Sequence, residues 1–449
     1  MEQTDFSFKS WQDYQKDLQR SAKRRCLIGR LPVLGLYAGC CFLILLSMFV
    51  ISLWIHGYVK ERSETRTEVR GDINVESRGL NRTDLPEMFI GWKLQTSTDT
   101  GKYLLSKEGA NLTVSTSIES AFQDYTQNLL GRSKTYMAAV VVMKLHDGRI
   151  LVLADYAREG DGDRENLCTK ADIPAASLFK IISAASVIEA RNFSPDQALY
   201  YRGGKYTLYK SQLKKGIEND RYKYKTSLRK AFSGSNNSVF GRLGIYELGR
   251  EILNDYAVRF LFNTPIPFDL ELEESKIDVP TDDFGLAEIA SGFNKRTLIS
   301  PLHANLITSS IANDGTMMKP WLVTNIRDHN GRILYYAKPS KLASPVNEET
   351  SKKMKVLMND TVRYGTCSKT FRSLRRKGAF ENIDLGAKTG TINDRLDQYK
   401  YDWLTAYAIP EEGNNGICIT VLAVHDELLG IRAKDIACDL IKYYFSSKT

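Results

Sequence analysis

Three short groups of residues in this chain carry side chains whose chemistry can cooperate, and they occur in a fixed order: Ser177-Leu178-Phe179-Lys180, Ser235-Asn236-Asn237 and Lys388-Thr389-Gly390-Thr391. A serine hydroxyl is a poor nucleophile until a base takes its proton. A lysine amine can be that base when burial and a neighbouring positive charge draw its pKa below about 10.4. A helix starting near Ser177 puts Ser177 and Lys180 on one face, within reach of each other, and the apolar run KIISAASVIEA that follows supplies the burial. Taken alone the spacing says little, because Ser211-Gln-Leu-Lys214 repeats it inside a polar stretch rich in Tyr and Lys. Ser177 could equally cap a helix while Lys180 lies along the surface. Ser235 and Asn237 stand in a Ser/Asn-rich turn where local backbone hydrogen bonding is the default role, and Lys388 could be a charge protecting an edge strand. The three groups together, in this order, point to covalent catalysis by serine.

These groups need elements to hold them. The segment SIESAFQDYTQNLL places Ile118, Ala121, Phe122, Tyr125 and Leu129 on one helical face. MAAVVVMKLHDGRILVLADY reads as two antiparallel strands joined at His146-Asp147-Gly148. Near the end, DWLTAYAIPEEGNNGICITVLAVHDE gives strand, turn and strand, and IRAKDIACDLIKYYF gives an amphipathic helix. Strands from both ends thus bracket a helical middle, and LGAKTGT reads as the end of a strand.

With 449 residues, 43% of them hydrophobic, there is material for one large or two modest cores. The formal charge of +9 favours anionic polymers or membrane surfaces without choosing between them. Seven Cys and five His show no zinc-ligand spacing, and no phosphate-binding or dinucleotide-binding glycine motif appears. Leu31 to Ile55 carries no charged side chain; these about 25 residues, roughly 37 Å as a helix, span a bilayer. The basic residues Lys9 to Arg30 precede it, which keeps the N-terminus cytoplasmic and puts the rest outside. The stretch is too long for a cleaved signal core. Outside, Cys168, Cys367, Cys418 and Cys438 could pair, but no specific disulfide is predicted. The organisation expected is a cytoplasmic tail (1–30), a membrane anchor (31–55), a stalk or pedestal (56–110) and one large domain (111–449).

The motif set, with GLAEIASGFNKRTLISPLHANLITSSIANDGTMMKPWLV between the second and third groups, resembles the transpeptidase domain of penicillin-binding proteins, to which serine β-lactamases are related. The resemblance covers roughly residues 110 to 446. It implies an α/β (α+β) fold with a central antiparallel sheet flanked by helices, and a membrane-anchored D,D-transpeptidase that cross-links peptidoglycan. Ser177 would attack the D-Ala-D-Ala carbonyl and Lys180 would take its proton. Ser235 would relay a proton to the leaving amine, and Asn237 would bond the substrate amide. Lys388, Thr389 and Thr391 would anchor the substrate carboxylate, and Gly390 would let the substrate backbone approach. The backbone N–H groups of Ser177 and Thr391 would form the oxyanion hole.

The resemblance also implies no metal and no cofactor. The partners it implies are stem peptides, β-lactams as covalent inhibitors, the membrane and a polymerising glycosyltransferase, with no nucleic acid. The Tyr- and Lys-rich segment YYRGGKYTLYKSQLKKGIENDRYKYK reads as a solvated hairpin. The chain departs from the family at PAASLFK, where Gly and Ser usually precede the nucleophile and Thr follows it. Only about 50 residues separate anchor and domain, which implies a monofunctional protein. A carboxypeptidase or β-lactamase would share the first half-reaction and deacylate with water; a non-catalytic β-lactam sensor or scaffold is the alternative of another kind.

Overall fold

The computed structural model describes residues 80–90, 102–107, 110–158, 166–375, 380, 382–394, 396–412 and 415–447; the expected tail (1–30) and anchor (31–55) lie outside them. Among the described residues no helix is long and apolar enough to cross a membrane.

Strands β1 (Lys102–Lys107) and β2 (Ala110–Thr116) pair antiparallel and lead into helix α1 (Ser120–Gly131). Strands β3 (Met137–Lys144) and β4 (Ile150–Ala157) form the expected pair. The helical middle holds α2 (Lys180–Arg191), α3 (Asn237–Leu243), α4 (Asp283–Ser291) and α5 (Pro301–Ala312). Strands β5 (Val323–Arg327) and β6 (Ile333–Tyr336) complete a four-stranded sheet in the order β1-β2-β5-β6. After helix α6 (Glu348–Arg363) come β7 (Ile383–Asn393), β8 (Lys400–Pro410) and β9 (Ile417–His425), and α7 (Ala433–Ser446) closes the chain. Strands from both ends meet in one antiparallel five-stranded sheet, order β7-β8-β9-β3-β4.

The sheet is buried on both faces, which is why β3 and β9 read as unbroken apolar runs. Alternate residues of β3 serve different cores: Ala139, Val141 and Met143 face the helical middle, while Ala138, Val140 and Val142 pack with α1 and α7. Each fully buried Val or Leu contributes about 1.5–3 kcal/mol. Thr405 and Thr420, buried in the sheet, satisfy one another at 2.9 Å, and Thr405 donates to Thr308 of α5 at 2.8 Å.

Three sequence expectations need correction. The stalk boundary near residue 110 falls between two paired strands, and Leu80, Leu85 and Phe89 are also buried, with Leu80 N–H donating to Leu334 O. On α1 Phe122, Tyr125 and Leu129 pack against the core as expected, Tyr125 stacking on Tyr443 at 4.0 Å, but Ala121 is exposed and the fully buried positions include Thr126 and Leu130. Lys388-Thr389-Gly390-Thr391 lies within β7 rather than at a strand end. The four described cysteines are buried free thiols.

Candidate active site

Helix α2 is the axis of the site. From Lys180 to Ile188 every residue is buried, polar Lys180, Ser183 and Ser186 included, so the helix is central and packed on all sides. It starts one turn later than the motif: Ala176–Phe179 form a 3-10 turn, and Lys180 opens the α-helix. A 3-10 turn brings residues three apart into register, so Ser177 and Lys180 still meet, Nζ to Oγ at 2.8 Å. Ala176, just before the nucleophile, has φ +48°, a left-handed conformation that a non-glycine residue holds only under tertiary constraint. Gly292 (φ +64°) makes room for this turn, since an added Cβ there would lie 1.9 Å from Ala176 O.

The Lys180 amine has three partners: Ser177 Oγ, Asn237 Oδ1 at 2.7 Å and Ser291 O at 2.5 Å. Asn237 donates its Nδ2 to Tyr206 O at 2.9 Å, which settles its amide orientation with Oδ1 toward the lysine. Two of the three neighbours are therefore acceptors only. A neutral amine gives its two hydrogens to them, and its lone pair is left facing the Ser177 hydroxyl. Burial, and then the positive charge of Lys388, hold Lys180 well below its ordinary 10.5. Its place at a helix N-terminus further disfavours the ammonium.

The second motif divides its labour. Ser235 has φ +52°, Asn236 caps α3 by accepting from Val239 N–H at 3.1 Å, and Asn237 follows as the first helical residue with its N–H on Lys205 O at 2.7 Å. Ser235 Oγ does not bond Lys180; it accepts from Lys388 Nζ at 3.0 Å. Lys388, given by the resemblance to the substrate carboxylate, is fully buried, with its amine on Ser235, on Thr389 O at 2.7 Å and over the Phe232 ring at 5.5 Å. Burial pushes it down to about 7, against a smaller opposing effect of Cys367.

Strand β7 ends the sheet, so one side of it has no strand partner. At Gly390 an added Cβ would meet Ala176 Cβ and Leu178 N at 3.4 Å, so this edge lies against the nucleophile's turn. Of the side chains here Thr389 is half-buried and Thr391 exposed. Thr389 Oγ1 shares a hydrogen bond with Thr366 Oγ1 at 2.7 Å, and Thr391 Oγ1 donates to Asp402 Oδ1 at 3.3 Å. Asp402 also takes two bonds from Arg432, at 2.6 and 2.8 Å, and one from Ala433 N–H; these outweigh its burial and hold the carboxyl well below the usual range. Trp403 anchors the entry to the turn by donating to Pro174 O at 3.0 Å.

All eight motif residues named from the sequence thus fall into one neighbourhood, with Ser177, Lys180 and Asn237 in one bonded group and Ser235 and Lys388 in another. Ser291, Gly292, Tyr206, Thr366 and Asp402 were not read from the sequence. Gly292 had a local signal as a residue that ends a helix with positive φ, but its contact with residue 176 is purely tertiary. Among the described residues no cluster of His, Cys, Asp and Glu could hold a metal ion.

Residues 138–439 match the family model of the penicillin binding protein transpeptidase domain. The chain is 25% identical over 274 residues to the peptidoglycan D,D-transpeptidase PbpA of Mycobacterium tuberculosis, covering 59% of this chain and 54% of that protein. It spans about half the length of that curated relative. In fold it is similar to the D,D-transpeptidase domain of a peptidoglycan glycosyltransferase from Eggerthella lenta (TM-score 0.61, 22% identity, 75% of this chain and 83% of that one). It is likewise similar to penicillin-binding protein A from M. tuberculosis in an imipenem acyl-enzyme complex (TM-score 0.59, 20% identity, 73% and 78%).

Proposed function

Given that the chain belongs to the penicillin-binding protein transpeptidase family, we propose that it is a serine D,D-transpeptidase that cross-links peptidoglycan stem peptides through a Ser177 acyl-enzyme and is acylated by β-lactams at the same serine. The observation that carries this reading is the Lys180 amine, buried, 2.8 Å from Ser177 Oγ, with its other two partners able only to accept.

As Ser177 Oγ bonds to the D-Ala carbonyl carbon, its proton passes to the Lys180 lone pair. The carbonyl oxygen becomes an oxyanion, held by the N–H groups of Ser177 and Thr391, which stabilise charge present only in the tetrahedral state. Collapse breaks the carbon–nitrogen bond, and Ser235 protonates the departing amine while taking a replacement proton from the Lys388 ammonium bonded to it. The amine of a second stem then attacks the ester and passes a proton through Ser235 to Lys388, Ser177 takes back the proton held by Lys180 as its ester bond breaks, and a cross-link remains. The side chains that face the substrate carboxylate are those of Thr389 and Thr391, while Lys388 works through Ser235. Residues 31–55 would anchor the protein in the bacterial cytoplasmic membrane with this domain outside. Its substrate strands would come from a polymerising glycosyltransferase.

The test is labelling of the full-length chain with a fluorescent penicillin, beside Ser177→Ala, with retention followed over time. Long-lived label lost in the variant supports the proposal. Rapid loss from the wild type indicates hydrolysis instead, as in a β-lactamase, and label that survives Ser177→Ala sinks the nucleophile assignment.

A further inference from the structure

Thr366 lies 22 residues before the third motif and belongs to none of the three groups, yet it is bonded to two of their segments. Its Oγ1 is 2.7 Å from Thr389 Oγ1, and its N–H donates at 3.2 Å to Ser233 O, two residues before Ser235. The approach is close enough to require glycine next door: a Cβ on Gly365 would lie 2.4 Å from Ser233 O and 2.8 Å from Thr361 Cα. A second tie holds the same two segments together, since Arg229, in the short helix Leu228–Ser233, grips Asp360 near the end of α6 with bonds of 2.6 and 2.9 Å. Thr366 is therefore fixed relative to the Ser235 segment while its hydroxyl fixes a rotor on β7.

That rotor matters because a threonine hydroxyl has one hydrogen and two lone pairs. Free to turn, the Thr389 hydroxyl spends part of its time pointing its hydrogen away from any carboxylate at the strand edge. If Thr366 donates to Thr389, the Thr389 hydrogen is left for an anion. A bound carboxylate selects that direction, because it can only accept: with its hydrogen given to the anion, Thr389 must accept from Thr366.

Resting on the transpeptidase reading above, we propose that Thr366 is a positioning residue for carboxylate recognition, its hydroxyl orienting that of Thr389 so that the Thr389 hydrogen meets the carboxylate of a stem peptide or β-lactam. Specificity for a negatively charged terminus then depends on a residue that does not touch it.

The experiment compares second-order acylation of the full-length chain by benzylpenicillin and by its methyl ester, which keeps the lactam ring and removes the charge. The variants are Thr366→Val and Thr366→Ser, with thermal melting as the check on folding and Thr366→Ala in reserve should the valine variant fail to fold. The expected result is that Thr366→Val slows acylation by the acid about ten- to hundredfold, the scale of one hydrogen bond to a charged group, and leaves the ester within about threefold, a margin too small for the loss of a hydrogen bond to a charge. The acid-to-ester ratio collapses, and Thr366→Ser restores it. Equal slowing of both compounds, or a ratio unchanged in Thr366→Val, overturns the role of Thr366 alone. A folded wild type acylated by neither compound overturns the transpeptidase reading and this role with it.

Discussion

Lys180 is decided by its neighbours more than by its own type. Two acceptor-only groups consume its hydrogens, and burial followed by the Lys388 charge lowers its pKa, which favours the neutral amine that can accept a proton from Ser177. Acylation by penicillin should therefore fall as pH drops through the Lys180 pKa, because the protonated amine has no lone pair to offer. Lys388→Met removes a positive charge that depresses that pKa. The acid limb of the residual acylation should accordingly move to higher pH, as measured by the pH dependence of the acylation rate constant. An unmoved limb would show that the two amines do not interact. The need for a buried lysine beside another positive charge was legible in Ser177, Lys180 and Lys388 themselves. That Lys388 bonds Ser235 rather than facing substrate was not, because a motif specifies a residue type and not the direction of a long side chain.

At the scale of elements, the site is a junction of a helix start, a strand edge and two loop segments in left-handed backbone conformations. Gly292 holds the junction from outside the motifs, and Gly292→Ala combines a φ of +64° with a Cβ 1.9 Å from Ala176 O. The nucleophile's turn must shift; a displacement of about 1 Å lowers acylation on the order of 100-fold, to be read by stopped-flow labelling against melting temperature. Asp402 ties β8 to α7 through Arg432 and supports Thr391 across the β7–β8 pair. Asp402→Ala leaves a half-buried guanidinium without its partner. Because Arg432 keeps about a third of its side-chain exposure, the cost should fall below the 3–5 kcal/mol of a fully buried pair, at about 1–3 kcal/mol in denaturant unfolding. The strands and the closing helix were readable from period and turn residues. On α1 the period placed Phe122, Tyr125 and Leu129 against the core correctly and missed only that Ala121 is exposed; that Tyr125 stacks on Tyr443, more than 300 residues away, no local pattern could say.

For the molecule as a whole, the site costs stability. Above pH 10.5 Lys388 is neutral whether folded or not. As pH falls toward about 7 the unfolded chain binds a proton that the folded chain refuses, and stability drops by about 1.4 kcal/mol per pH unit; below about 7 both states are protonated and the loss stops growing. Lys388→Met should therefore raise the melting temperature relative to wild type more at pH 7 than at pH 10, while abolishing turnover; an equal shift at both values would refute the assignment. The amino-acid sequence by itself determined which side chains can do the chemistry, their order along the chain and the strands that bracket them, because hydroxyl, amine, glycine and hydrophobic period are local properties. Only the tertiary structure decided which amine meets which serine, how far Lys180 and Lys388 are depressed, and that Gly292, Thr366 and Asp402 brace the site. Those depend on burial and on contacts between residues remote in the chain, which no local pattern encodes.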